Sequence, residues 1–401
     1  MMIAAVGRAA AIAVAVSIAV AGAAPPPLPR AQPQAVGLNP LKLREAEGLL
    51  ARYVDERKIA GAVAAVARRG RLAWSAAVGM QDLGSHAPMS ERSIFRIYSM
   101  TKSVTAVAAM ILQEQGRFSL DDPVGKYLPA FDEVVVRGTD GAVRPPARPV
   151  TVRDLMLHTS GLEHRTSELY RNARVRSRDI TLPQFVSNIV RVPLMEDPGT
   201  RFRYSEGTTV LGRLVEIWSG QPLDWFLDER VLRPLRMTDT AFWVGPEQRD
   251  RLATVYSPAD DGGLRAIEIE AVPFTQRPAL LEGAVGLVAT VPDYLRFAQM
   301  LLNGGELEGA RILRADTVAA ITKNGLSDAV RSARGGPMGW GLANVNVALD
   351  TGEYGWDGTA GTIFWNDPAH EMITILMTQS VPANPDSLRQ RFKALVAQAV
   401  E

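Results

Sequence analysis

Residues 94–112 read IFRIYSMTKSVTAVAAMIL. From Val104 to Leu112 the stretch is nearly apolar, and Gly116 follows as a stop. The spacing therefore predicts a helix over Ser99–Gln115 that is buried on every side. Ser99 stands where this helix begins and Lys102 one turn further on, and residues three apart share a helix face. The lysine amine can thus reach the serine hydroxyl. Burial at the edge of the apolar run disfavours an ammonium and leaves a neutral amine free to act as a base. The Ser99 N–H, at a helix start, points toward any anion forming beside the hydroxyl. A nucleophile, a base and half of an oxyanion hole lie in one short stretch.

Ser-x-x-Lys alone is a weak signal, since such pairs arise by chance. The alternative is a capping serine with a lysine reaching to solvent. Here the pair occurs once: Asn39, Asp55, Pro123, Ala320 and Gln390 stand three residues before the other five lysines. Most basic residues are arginine, so a lysine in an apolar helix needs a reason. Competing chemistries are missing. No Gly-x-Ser-x-Gly elbow occurs. The four histidines, His86, His158, His164 and His370, form no pair with metal-binding spacing. With no cysteine in the chain, thiol catalysis and disulfides are excluded. No cofactor or metal is expected.

Working outward, residues 41–58 carry Leu41, Leu49, Leu50 and Tyr53 among charges and suit an amphipathic helix. Gly61–Val66 and Arg71–Val78 are strand candidates joined at Arg69-Gly70, a plausible hairpin turn. In the middle of the chain, Thr151 with Asp154 looks like a helix start. Further helices fit 181–191, 207–219 and 223–232. The last third suits a helix over 292–302, strands over 339–347, 361–366 and 371–378, and a helix over 385–399. The fold class that follows is α+β. Residues 41–120 and 285–401 build a discontinuous domain, an antiparallel sheet flanked by helices. Residues 121–284 form a mostly helical insert, and a cleft between two such units is the default small-molecule site.

The 401 residues are 22% charged and 47% hydrophobic with a net charge of +1, a globular composition with no electrostatic case for nucleic acid. Arg8, an apolar run over 9–20 and Ala21-Gly22-Ala23-Ala24 suit a signal peptide over 1–24. The run is short for a membrane anchor and is followed by Pro25-Pro26-Pro27, so cleavage and export, periplasmic or secreted, are expected, with no stable membrane insertion. Residues 25–40 suit a Pro-rich linker.

Four segments together resemble the serine β-lactamase/penicillin-binding protein superfamily. They are IYSMTKSV (97–104), LMLHTSGL (155–162), Tyr204-Ser205-Glu206 before Val210-Leu211-Gly212, and GWDGTAGTIFWND (355–367). They fall in the right order, and the likeness spans roughly 40–400. It is greatest to the class C-like esterases called family VIII carboxylesterases. The resemblance implies a β-lactamase/transpeptidase-like fold and an acyl-enzyme mechanism on Ser99 with Lys102. It implies that Tyr204 shuttles protons between nucleophile and leaving group, as a phenolate only beside a cation such as Lys102. By position alone, Tyr204 reads first as a tyrosine capping the core of the insert. Trp356-Asp357-Gly358 falls where lactamases carry Lys-Thr-Gly on the strand lining the cleft, and Thr359 matches the second oxyanion N–H. Tyr98, Trp356, Asp357 and Gly358 are the candidate substrate contacts, while His158 reads as structural, beneath the site.

Two departures from the family pattern matter. Glu206 stands where Asn is frequent, and a carboxylate near Lys102 would favour its ammonium. Trp356 replaces a cation, and Asp357, if it faces the cleft, would repel a substrate carboxylate. Arg96 and Arg203 are the nearest arginines by motif that could compensate. Small carboxylic esters are the expected substrates. An amidase or peptidase acting on β-lactams, D-amino-acid peptides or short linear peptides shares the same machinery, and a non-catalytic module binding cell-wall peptides is the reading from outside enzymes.

Overall fold

The computed structural model describes residues 28–138 and 140–401. The expected signal peptide lies outside the described residues. The centre is an antiparallel sheet of eight strands. In chain order these are β1 (Gly61–Arg68), β2 (Arg71–Asp82), β3 (Ala87–Pro88), β4 (Met338–Gly341), β5 (Val345–Ala348), β6 (Tyr354–Asp357), β7 (Ile363–Asp367) and β8 (Met372–Thr378). Their spatial order is β4-β5-β6-β7-β8-β1-β2-β3. The last third of the chain thus pairs directly with the first, Ala62 opposite Thr378 through Arg68 opposite Met372. The discontinuous sheet expected from sequence is present.

Strand β1 shows why so small and apolar a segment sits at the centre. Successive side chains alternate faces. Ala62, Ala64 and Val66 face α1 (Pro40–Asp55) and the C-terminal Leu388–Ala397 helix, beside Leu43, Leu50, Tyr53 and Phe392. Val63, Ala65 and Ala67 face the opposite layer, with Phe297 and Val104. Every β1 residue is buried, so no polar alternation survives in its sequence. Each Val buried this way contributes about 1.5–3 kcal/mol. At the β1–β2 turn, Arg69 and Gly70 both take positive φ (53° and 74°), the requirement of a two-residue hairpin.

α2 (Thr101–Glu114) lies between sheet and insert, buried from Thr101 to Leu112 as its composition predicts. It packs on α4 (Gly207–Ser219) of the insert. The same core cluster holds Val104 and Val107 with Leu155, Val210 and Leu214, so the core runs unbroken from sheet into insert. Between these comes α3 (Val152–Leu157), whose start carries the expected reciprocal cap between Thr151 and Asp154. No helix among the described residues is long and apolar enough to cross a membrane.

Three sequence expectations are corrected. Residues 28–39, taken with the linker, are docked: Leu28, Val36 and Leu38 are buried, and the Ala31 N–H bonds the Leu72 carbonyl at 3.0 Å. Isolated apolar residues among the prolines are the anchors. The strand expected over 339–347 is a hairpin, because Asn344 takes φ 57° and turns the chain between β4 and β5. The helix expected from Ser99 begins regularly only at Thr101.

Candidate active site

Ser99 occupies a single 3₁₀ turn, Tyr98–Met100, just ahead of α2. Such a turn has three residues per revolution and eclipses positions i and i+3. Lys102 Nζ accordingly lies 3.4 Å from Ser99 Oγ. Tyr98 enters the turn with φ 41°, a conformation that costs a non-glycine residue on the order of 1–3 kcal/mol and is held by its surroundings. Ser99 and Lys102 are 6% and 1% exposed, so the pair is shielded from bulk water.

A segment without a sequence signature completes this corner. Phe95–Arg96 pairs with Val288–Ala289, and this draws residues 282–287 across the start of α2. Lys102 Nζ donates to the Ala284 carbonyl at 3.1 Å, Thr105 Oγ1 to the Gly283 carbonyl at 2.8 Å, and the Leu287 N–H to Thr101 Oγ1 at 3.1 Å. The lysine is aimed from two sides, by Ser99 and by this segment.

Tyr204 comes from the insert. Lys102 Nζ stands 4.7 Å from its ring centroid. The Tyr204 hydroxyl accepts a hydrogen bond from Trp356 Nε1 at 3.0 Å. Ser99, Lys102, Tyr204 and Trp356, far apart in sequence, therefore form one contact chain. His158 packs on the Tyr204 ring at 4.6 Å, and its Nδ1 accepts the Ser205 N–H at 3.2 Å. Burial, with Lys102 second, pushes His158 well below its ordinary titration range, so the ring is neutral. His158 thus braces Tyr204 from behind. His164 stacks on Tyr204 from another side at 5.6 Å, and burial pushes its titration down to about 4.

The strand side of the cleft is β6. Gly358 follows it, and a Cβ there would lie 2.4 Å from the Ile97 carbonyl oxygen. Only glycine lets the strand end come this close to the turn that carries Ser99. Thr359 comes next, exposed, in a turn closed by the Gly361 N–H on the Gly358 carbonyl at 3.1 Å. Trp356 also meets Trp340 edge to face at 4.6 Å, which together with Phe202 makes an aromatic wall beside Tyr204.

Two expected substrate contacts are corrected. Tyr98 is fully buried against Phe274, with ring centroids 5.9 Å apart, so its side chain offers no surface to a ligand. Asp357 is not a free repelling charge: Arg389 Nη1 donates to its Oδ2 at 2.5 Å. Burial raises the Asp357 carboxyl and Arg389 opposes that. Arg389 also donates to the Gly358 and Thr362 carbonyls at 3.0 and 3.2 Å, so it clamps the end of β6. Neither compensating arginine is free. Arg96 is buried and donates to the Ala253 carbonyl at 2.7 Å, and Arg203 is paired with Glu163 and Glu196.

Glu206 is fully buried. Its Oε2 accepts from Thr209 Oγ1 at 2.8 Å, and its Oε1 has no hydrogen-bond partner. Burial first, and then the carboxylate of Glu282, raise its titration above the ordinary carboxyl range. Burial opposes ionisation of Glu282 too, but Arg176, at 2.5 and 2.6 Å, holds that group ionised. Of the two carboxyls Glu206 thus holds its proton more readily, while Lys102 and Arg176 oppose that shift. Sequence reasoning missed Arg389, Ala284, Trp340 and the Arg176–Glu282 pair. None carries a local motif; only the unusual frequency of Trp near 340–365 was a readable signal.

Residues 46–399 match the model of the Beta-lactamase family. An uncharacterised protein of Mycobacterium tuberculosis is 33% identical, over 82% of this chain and 88% of its own. Esterase EstB of Burkholderia gladioli is 28% identical, over 87% of this chain and 93% of its own. Among solved structures, EstCE1, described as a hydrolase with promiscuous acyltransferase activity, superposes with a TM-score of 0.78 at 26% identity, covering 90% of this chain and 98% of its own.

Proposed function

This chain belongs to the β-lactamase family and is a serine hydrolase, and on that premise we propose that it cleaves small carboxylic esters through an acyl-enzyme on Ser99. The observation that carries the reading is the buried contact between Lys102 Nζ and Ser99 Oγ at 3.4 Å. Catalytic hydrogen bonds are often long before substrate binds and tighten in the complex, and a 3.4 Å contact is compatible with this role.

Ser99 Oγ attacks the ester carbonyl while its proton passes to Lys102 Nζ. The new C–O bond leaves a negative oxygen between the N–H groups of Ser99 and Thr359. As the intermediate collapses, the bond to the alcohol breaks and Tyr204 hands the leaving oxygen its proton, which Lys102 resupplies. Water then attacks the acyl-enzyme by the reverse proton path and frees the acid and Ser99. Trp356 supports Tyr204 by donating to its oxygen, which stabilises negative charge developing there.

The preference for neutral esters rests on the β6 wall. Trp356 gives its N–H to Tyr204, and Arg389 is closed on Asp357, so this wall has no free cation for a β-lactam or D-peptide carboxylate. A missing charge-assisted hydrogen bond costs about 1.5–3 kcal/mol, or roughly 10- to 150-fold. The kcat/KM ratio of p-nitrophenyl butyrate to nitrocefin tests this, with Ser99→Ala as blank. The ester is expected to be favoured by at least about 10-fold. Nitrocefin matching or exceeding it would give the peptidase or lactamase reading its place. The proposal includes export after signal cleavage near Ala24 or Pro25, which leaves the buried Leu28 on the mature chain.

A further inference from the structure

Beside the catalytic residues the insert holds a recess of about 590 Å³, a volume within the range of small-molecule sites. Ser99, Lys102 and Tyr204 do not line it, but two contacts join it to the catalytic corner. His164 stacks on Tyr204, and the guanidinium of the next residue, Arg165, lies 5.5 Å from the ring centroid of Tyr98, the neighbour of Ser99.

Its walls are unusually basic. Arg165, Arg171, Arg174 and Arg176 line it, against the carboxylates of Asp179 and Glu270. Two of the four arginines are spent inside the wall. Arg165 Nη1 and Arg176 Nη2 each bond Glu270 at 2.9 Å, and Arg176 also holds the buried Glu282. This ionic floor is rigid and largely self-compensated. Arg171 and Arg174 differ. They are exposed, and among the described residues neither has a carboxylate partner. Arg171 donates only to the Thr166 carbonyl. Two guanidiniums thus face the recess with one rim carboxylate, Asp179, near them. A guanidinium presents a planar fork of donors that matches carboxylate and phosphate oxygens and weakly rewards neutral ligands.

We infer that this recess receives an anionic group, a carboxylate or a phosphate, carried by the substrate several bonds from the scissile carbonyl. The inference rests on the proposed acyl-enzyme chemistry at Ser99. It concerns the insert, so the missing cation on β6 does not bear on it. The favoured substrates are esters or thioesters with a neutral reacting end and an acidic far end.

Two matched pairs distinguish the sources of charge. p-Nitrophenyl butyrate against mono-p-nitrophenyl glutarate places a carboxylate on the acyl side. Butyryl-pantetheine against butyryl-4′-phosphopantetheine places a phosphate on the leaving side. In at least one pair at low salt, kcat/KM is expected to favour the anionic member by about 5-fold, the size of two exposed ion pairs. That ratio is expected to fall toward one in the double variant Arg171→Gln/Arg174→Gln, and in wild type when salt screens exposed charges. No preference in either pair, or a preference that survives both substitutions, would overturn the inference while leaving the hydrolase reading intact. A folded enzyme that turns over none of the four compounds would instead remove the reading on which the inference rests.

Discussion

Replacing Glu206 by Gln separates two incompatible pictures of Lys102, the proposed base. If Glu206 were an ionised carboxylate, its field would hold Lys102 as an ammonium. For any such pair about 4–5 Å apart, at an effective dielectric near 20, the attraction is on the order of 3–4 kcal/mol. Removing it would move the acidic limb of activity down by about 2–3 pH units. The structure argues for the other picture. Lys102 donates to Ser99 and Ala284 and not to Glu206. Glu206 is buried with one oxygen lacking a partner, and the neighbouring negative charge is carried by Glu282 on Arg176. Glutamine copies the shape of a protonated carboxyl and still accepts from Thr209. The variant loses at most one ordinary hydrogen bond, about 0.5–1.5 kcal/mol, so kcat/KM should stay within about 10-fold of wild type. The assay is kcat/KM for p-nitrophenyl butyrate across the pH range in which both proteins remain folded. The acidic limb is expected to stay within about half a pH unit. A downward shift of more than about one unit, with activity gained near neutrality, would refute the reasoning and show that Glu206 holds Lys102 charged.

Trp356→Phe keeps the ring but removes the N–H given to Tyr204. It should lower kcat by about 5-fold, the value of a bond worth about 1 kcal/mol, with KM changed less; an unchanged kcat would show that the bond plays no part. His164 titrates near 6.5 when unfolded and at about 4 in the native protein. Between those values the unfolded chain binds more protons, so stability is lost as pH falls through that window. His164→Gln should therefore flatten the dependence of the urea midpoint on pH there, and an unchanged slope would show that the ring is not held neutral. Intact mass of exported protein should place the mature N-terminus near Ala24 or Pro25, whereas a membrane-bound form retaining Met1 would contradict cleavage.

What the sequence disclosed is what local spacing controls. Ser99 and Lys102 lie three residues apart, so a single turn fixes their contact whatever surrounds them. The β1–β2 hairpin is likewise set by Arg69-Gly70 and two short apolar runs. Motif order brought Tyr204 and Trp356 to the same cleft, though not the bond between them. What escaped depends on topology. Arg389 reaches Asp357 because the C-terminal helix packs on the sheet beside β6, a contact across 32 positions that no pattern announces. The charge expected at Asp357 was therefore misjudged, although the residue was rightly assigned to the strand. Tyr98 was misdirected for a similar reason: its positive φ, invisible in sequence, swings the ring into the core. The docked segment before α1 was obscured by its prolines. Glu206 needed both Glu282 and Arg176 to be understood, and those come from distant loops.

The central claim is that Ser99, activated by Lys102, becomes the acylated residue. Fluorophosphonate labelling followed by peptide mapping tests it most directly, since only an activated serine reacts. The label is expected on Ser99 alone, absent from Ser99→Ala, and formed at least about 10³-fold more slowly in Lys102→Ala, as when an activating base is removed. Both variants should keep the wild-type circular dichroism spectrum. A label on another serine, or ester turnover retained by Ser99→Ala, would contradict the account.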